Sequence, residues 1–121
     1  MQNFYRDIFV LTEPLACVIH SYKRLPRTLI VKDALIIGGG PIGCLHAVEI
    51  EKRFNGANIT FLEKNKDRRR ILRDLFSGIK VVKKVVSQNY DFCIVACSDP
   101  YANTDAIRSI KNSGTVLHFS G

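Results

Sequence analysis

The stretch Ala34-Leu35-Ile36-Ile37-Gly38-Gly39-Gly40-Pro41-Ile42-Gly43 decides the fold of this chain. A short apolar run, Ala34 to Ile37, stops abruptly at glycine and reads as a strand buried on both faces. Beyond it Ile42, Leu45, His46, Glu49, Ile50 and Phe54 recur at helical spacing, and Asn55-Gly56 ends the pattern. The sequence Gly38-x-Gly40-x-x-Gly43 therefore sits between a strand and the start of a helix. Each glycine has a mechanical task there. Gly38 allows a tight turn, Gly40 lets a ligand approach the backbone, and Gly43 lets the helix pack closely on the strand. Pro41 suits the first helical turn, where a missing N–H costs least.

Outward from this junction the chain alternates. Asn58 to Leu62 reads as a strand, and Asp67 to Phe76 as a basic helix closed by Ser77-Gly78. Ile79 to Val82 is a short strand, and Lys83 to Asn89 stays open between loop and helix. Phe92 to Ala96 is a strand, Tyr101 to Lys111 a helix and Thr115 to Phe119 a strand. Upstream, Thr12-Glu13-Pro14 starts a helix carrying Leu15, Val18, Ile19 and Tyr22, with a linker from Pro26 to Lys32. Strands and helices joined by short connections predict an α/β fold, a Rossmann-like doubly wound parallel sheet with helices on both faces. Residues 1–32 form an N-terminal segment of lead-in helix and linker, and residues 33–121 the dinucleotide-binding unit.

Composition agrees with one globular domain: of 121 residues, 46% are apolar and 24% charged. No apolar run approaches the roughly 20 residues of a membrane span. The cysteines Cys17, Cys44, Cys93 and Cys97 are neither dense nor paired as Cys-x-x-Cys, which fits free thiols of a reducing, cytoplasmic setting. Cys93 and Cys97 fall on one face of a strand, but two thiols without a third ligand do not make a metal site. His20 and His46 read as core or surface residues, and no nucleophile has the partners that catalysis needs.

The net charge of +7 is unevenly placed, with eleven Lys or Arg against three acids between Lys52 and Lys84. We read this stretch as a solvated helix face beside an anionic ligand, in preference to a nucleic-acid surface. Glu63 ends the second strand of the glycine unit. A carboxylate there accepts hydrogen bonds from adenosine ribose hydroxyls and repels a 2′-phosphate, so the pattern favours NAD over NADP. The helix N-terminus after Gly40 offers free N–H groups to the pyrophosphate. Lys64 and Arg68 are candidates to face the adenosine, and Arg69, Arg70 and Arg73 are read as solvated.

Glu13-Pro14-Leu15-Ala16, the glycine stretch and Glu63 with Arg68 five residues on resemble the cofactor half of zinc-dependent medium-chain alcohol and polyol dehydrogenases. Asp91 to Cys97 and Ser113 to Gly121 resemble two later strands of that domain. The resemblance implies an NAD-binding domain that orients the cofactor while an alcohol gives up hydride in the intact enzyme. It implies a zinc held mainly by another domain, with Glu13 near it. It places Ala96, Cys97 and Ser98 along the adenine and ribose side, and His118, Phe119 and Ser120 toward the nicotinamide. The cofactor-binding set is thus Gly38, Gly40, Pro41, Ile42, Gly43, Glu63, Lys64, Arg68, Ala96, Cys97, Ser98 and Phe119, with no catalytic residue and no metal ligand in this chain. The chain reads as an excised cofactor domain lacking the catalytic domain and the final strand, and its open sheet edge predicts self-association. The alternatives are an FAD-binding domain, disfavoured by the prompt later strands, and a non-catalytic nucleotide- or nucleic-acid-binding module. A methyltransferase shares the strand, glycine and acid order, but Gly43 argues mildly against it.

Overall fold

Ala34, Leu35, Ile36 and Ile37 are between 0% and 4% exposed, because the strand that holds them has a neighbour on each side and a layer on each face. The computed structural model describes residues 15–85 and 89–119. Its strands are β1 (Asp33–Ile37), β2 (Asn58–Leu62), β3 (Lys80–Val82), β4 (Tyr90–Val95) and β5 (Ile110–His118). All pair in parallel, in the order β3-β2-β1-β4-β5. The helices are α1 (15–23), α2 (Pro41–Arg53), α3 (Lys66–Leu75) and α4 (Ala102–Ser109). This is a Rossmann-type α/β fold. The proposed helix start at Thr12-Glu13-Pro14 lies outside the described residues, as do Ser120 and Gly121.

Local chemistry sets the element ends. Pro41 opens α2, and Lys52 and Arg53 face its negative C-terminal end. The Asn65 side chain caps α3 by accepting from the Arg68 N–H at 3.0 Å. At the start of the sheet the Asp91 carboxylate accepts from the N–H groups of Lys32 and Asp33 at 3.0 and 3.2 Å, tying β4 to β1.

The side chains of the sheet divide strictly by face. Ala34, Ile36, Ile59, Phe61, Val81, Phe92 and Ile94 meet Val18 and Tyr22 of α1, Ala47 and Ile50 of α2 and Leu72 of α3. Leu35, Ile37, Leu62, Cys93 and Val95 point the other way, toward Ala102 and Ala106 of α4. Among the described residues this second face is covered by one eight-residue helix. Of the 83–89 segment between β3 and β4, left open between loop and helix by the sequence, residues 86–88 lie outside the described residues, and 83–85 and 89 are not helical.

Most element ends fall within one or two residues of the sequence reading, and the junction of the last helix with β5 differs most. The last helix stops at Ser109, where the hydroxyl donates to the Asp105 carbonyl at 2.5 Å, and β5 already begins at Ile110. Ile110 pairs with Tyr90, whereas Thr115 pairs with Phe92, so β5 carries extra residues at this shift. Lys111, Asn112 and Ser113 are the exposed part of that irregularity. Ile110 packs with the α4-side core, and this tertiary contact overrides the helical pattern of the local sequence.

A polar pair lies inside the larger core. The Tyr22 hydroxyl is 3.0 Å from His46 Nδ1, and both residues are at most 2% exposed. His46 Nε2 has no hydrogen-bond partner among the described residues. Burial disfavours both charged forms, lifting the phenol well above its usual range and lowering the imidazole to about 4, with Glu49 acting as a weaker opposing influence on the ring. A neutral buried imidazole must take up a proton on unfolding below its ordinary pKa of 6.5. Its contribution is therefore present above pH 6.5 and lost as pH falls through about 4, a change on the order of 3 kcal/mol. Urea unfolding between pH 7 and 4 should show this loss, and His46→Gln should flatten the slope; an unchanged slope would remove His46 from the acid response.

Candidate functional site

In a parallel sheet of this order the connections leave β1 and β4 in opposite directions, and a crevice opens where they part. Here it is a cleft of about 490 Å³ at the C-terminal ends of β1, β2 and β4. Its floor is the glycine turn. The Gly38 N–H donates to the Leu62 carbonyl at 3.0 Å, and its φ of +105° is one that L side chains rarely adopt. A Cβ at Gly38 would meet the Ala96 carbonyl oxygen and the Cys97 Cβ, each at 2.9 Å. A Cβ at Gly43 would overlap the Gly38 carbonyl oxygen. The helix α2 therefore begins directly against the end of β1.

Gly40 differs from these two. Its φ of −77° suits any residue, and a Cβ there would find only the Arg68 guanidinium, at 4.0 Å. No side chain caps the α2 N-terminus, and no acid occupies its first turn. The positive end of the helix thus meets the cleft without a compensating charge of its own.

Glu63 is 8% exposed and is tied down on both oxygens. Oε1 accepts from the Gly39 N–H at 3.0 Å, and Oε2 from the Asn65 N–H at 2.9 Å. The Arg68 guanidinium lies 3.7 Å from Oε1 and is itself largely exposed in the cleft. A carboxylate has about four acceptor positions, so two remain for a ligand. Glu63 therefore fixes the glycine loop as well as facing the cleft.

Lys64 spans the opening. Its Nζ lies 2.9 Å from Asp99 Oδ2, joining the segment after β2 to the segment after β4. That hydrogen bond is the main cause raising the Lys64 pKa and lowering that of Asp99, the latter helped by the Tyr101 N–H. The sequence reading missed Asp99 and Asp105, both of which line the cleft. The signal for Asp99 was Asp-Pro a few residues beyond an apolar strand: its side chain accepts from the Tyr101 N–H at 2.9 Å and helps open α4.

The structure brings Gly38, Gly40, Pro41, Ile42, Glu63, Lys64, Arg68, Ala96, Cys97 and Ser98 together around this one cleft. Gly43 lies beneath it as a packing contact. Phe119 stands apart, with its ring edge-on to His46 at 5.0 Å, where it lines a different hollow beside α1. Of the arginines read as solvated, Arg70 is exposed. Arg69 instead donates to the carbonyls of Glu63 and Lys64 at 3.0 and 2.8 Å, and Arg73 reaches the Val81 carbonyl at 3.4 Å. These two hold α3 to the strand ends. Burial pushes the Cys93 thiol up to about 12 and also raises Cys44, disfavouring the thiolate at both. Among the described residues no group of three or more His, Cys, Asp or Glu side chains converges to hold a metal.

No family model matches the chain. Over 120 residues it is 28% identical to D-altritol 5-dehydrogenase of Agrobacterium fabrum, covering 93% of this chain and 35% of that protein. Acetophenone reductase from Geotrichum candidum, solved with NAD, is 26% identical with a TM-score of 0.64, over 82% of this chain and 29% of that one. TarJ of S. aureus, solved with NADPH, has a TM-score of 0.72 at 17% identity, over 88% of this chain and 35% of that one. Methyltransferases holding S-adenosylhomocysteine share the fold as well, so the fold alone does not separate the two classes. The sequence similarity does point one way, and with the fold it supports a dinucleotide-binding Rossmann domain of a medium-chain dehydrogenase. The chain spans about a third of the length of the dehydrogenase it matches.

Two substitutions separate the glycines by mechanism. Gly43→Ala should cost about 3 kcal/mol or more, because the clash is with backbone that cannot move aside. Gly40→Val should unfold within about 1 kcal/mol of the parent, since its conformation and space are open. Thermal and urea unfolding check both, and equal losses would contradict this account of the turn.

Proposed function

We propose that this chain is the NAD(H)-binding domain of a zinc-type medium-chain alcohol or polyol dehydrogenase. Residues 33–121 form the binding unit and residues 1–32 its lead-in. The observation that carries the reading is an uncapped helix start above an open glycine, in a cleft whose other wall holds a fixed carboxylate. The pyrophosphate lies against Gly40 and the α2 N-terminus, where N–H groups and the helix dipole meet its charge. Arg68, poised over the same glycine, adds a cation. The remaining acceptor positions of Glu63 take the adenosine ribose hydroxyls, and its charge disfavours a 2′-phosphate. Ala96, Cys97 and Ser98 form the opposite bank.

A bound nicotinamide supplies the hydride acceptor, and this chain's residues orient it. A catalytic zinc finds no ligand set among the described residues, so no chemical step is assigned to this chain. The relatives support the cofactor class: an NAD-bound reductase, an NADPH-bound protein and a polyol dehydrogenase share its sequence or fold. The parent enzyme acts on a small alcohol or polyol in the cytoplasm, and no described helix is long and apolar enough to cross a membrane. The outer edge of β5 is unpaired within the described chain and offers a site for self-association.

A fluorescence titration with NADH, run beside NADPH and FAD, tests the reading, and the absence of tryptophan keeps the background low. NADH should saturate, and the folded Gly40→Val variant should not bind, because its side chain occupies the pyrophosphate position. Full affinity in that variant would refute the placement. Glu63→Ala would strip both the Gly39 and the Asn65 N–H groups of their acceptor, whereas Glu63→Gln keeps a carbonyl oxygen for one of them and removes the charge, so it is the milder probe. It should weaken NADH about tenfold more than NADPH. Equal losses would take Glu63 off the ribose.

A further inference from the structure

Because α2 runs back along the sheet from the glycine turn, its last residues lie at the opposite end of the strands. Its 13 residues put them about 20 Å from Gly40. A hollow of about 570 Å³ opens there, between the ends of α1 and α2 and the linker that leads into β1. The linker is folded into two successive turns. The Leu25 N–H donates to the Tyr22 carbonyl and the Leu29 N–H to the Pro26 carbonyl, each at 3.1 Å. Leu25, Leu29 and Phe54 supply apolar wall, and all three are half-buried against the larger core. Phe92 backs Phe54, with 5.9 Å between the ring centroids. The wall is thus a preformed apolar surface.

Three cations line the same hollow, Lys23, Arg27 and Arg53, and no carboxylate does. Lys23 and Arg27 form no ion pair with a described residue. Arg53 donates through Nε to Glu49 at 2.6 Å, which leaves its two terminal nitrogens for another acceptor. Basic residues at helix ends ordinarily answer the partial charge of the last carbonyls. That demand is too small to account for these three. Two helix ends carry about half a negative charge each and Glu49 one more, so about one positive charge is left over. Arg27 moreover stands beyond the last turn of α1, past Pro26, where the carbonyls of that helix no longer need it. One surplus positive charge beside an apolar wall matches an amphiphilic monoanion. The volume is that of a small-molecule site.

We propose that this hollow binds an amphiphilic monocarboxylate, such as a medium-chain fatty acid, at a site separate from the glycine cleft. The carboxylate sits between Lys23, Arg27 and the terminal nitrogens of Arg53, since a guanidinium can hold both of its oxygens. The hydrocarbon lies along Leu25, Leu29 and Phe54. Occupancy ties the linker to the end of α2. It also reaches the core through Tyr22, which lines the hollow and meets His46 of α2. The site does not depend on the cofactor reading.

The test titrates the chain with octanoate and follows backbone amide chemical shifts by NMR, with acetate and octanol in parallel. Octanoate should saturate at about 10 mM or below. Its shifts should gather on Leu25, Arg27, Leu29 and Phe54. Acetate should bind far more weakly, for want of a hydrocarbon chain, and octanol more weakly for want of charge. The Lys23→Ala, Arg27→Ala double variant changes two exposed positions and leaves the Arg53–Glu49 pair intact. It should weaken octanoate about tenfold and leave octanol within about twofold. Arg27→Gln alone should give a smaller loss of the same kind, and circular dichroism verifies that each variant is folded. Shifts centred on residues 38–43, acetate or octanol binding as tightly as octanoate, or undiminished affinity in both variants would overturn the site. So would the absence of saturation. A glutamate-rich peptide that displaces octanoate at lower concentration would assign the hollow to an acidic protein segment and overturn the proposal.

Discussion

The contact between Gly43 and the Gly38 carbonyl is the constraint on which the rest of the molecule depends. It holds α2 against the end of β1 at a distance no side chain would permit. That approach aims the uncapped helix start at the crevice and leaves Gly40 open above it. It also sets the angle at which α2 lies over the sheet, with Ala47 and Ile50 in the larger core and His46 beside Tyr22. A loosened turn would therefore disturb the cleft and the core together. The cleft floor and the strand–helix packing are one contact seen from two sides.

Charge follows a similar economy. The basic excess between Lys52 and Lys84 divides into groups with distinct surroundings. Arg53 is paired with the nearly buried Glu49 at 2.6 Å, with its guanidinium 5.6 Å from the Tyr22 ring centroid. Arg69 and Arg73 satisfy backbone carbonyls at the strand ends. Arg68 and Lys64 line the cleft beside the glycine turn, and Lys64, Lys83 and Lys84 an adjoining one on the α4 side. A helix face read from sequence as solvated is therefore partly a set of carbonyl caps. That sorting leaves fewer mobile cations for a nucleic-acid surface than the raw count implies.

The strands, the glycine turn and the basic α3 were legible because each rests on local signals: apolar runs, glycines at fixed spacing, and Ser77-Gly78 at a helix end. Glu63 was legible as a residue but only half legible as a role, since its bonds to Gly39 and Asn65 require the loop and β2 to be in place. Lys64 and Asp99 lie 35 residues apart, and their pairing depends on β2 and β4 flanking β1. No local pattern encodes that. The same holds for Ile110, which continues a helical periodicity and yet is claimed by the core beneath α4. It also holds for Tyr22 and His46, whose spacing across the linker gives no sign of contact. Long-range partners decided what short-range patterns left open.

The two faces of the sheet are unequally covered, and these two clefts follow that inequality. Three helices and the aromatic cluster of Tyr22, Phe54 and Phe92 pack one face. On the other, among the described residues, α4 is the only helix, and Leu62 and Val85 line open space. Where coverage is thin, local opening costs less. A ligand seated across the strand ends would join the segments after β2 and β4, which are otherwise linked over the opening by the exposed Lys64–Asp99 pair. Such a ligand binds the folded chain and not the unfolded one, so its occupancy adds directly to stability. The weaker face is thus the one on which binding beside the glycine turn and folding are coupled, and the well-packed face supplies the rigid frame that keeps the glycine turn in place.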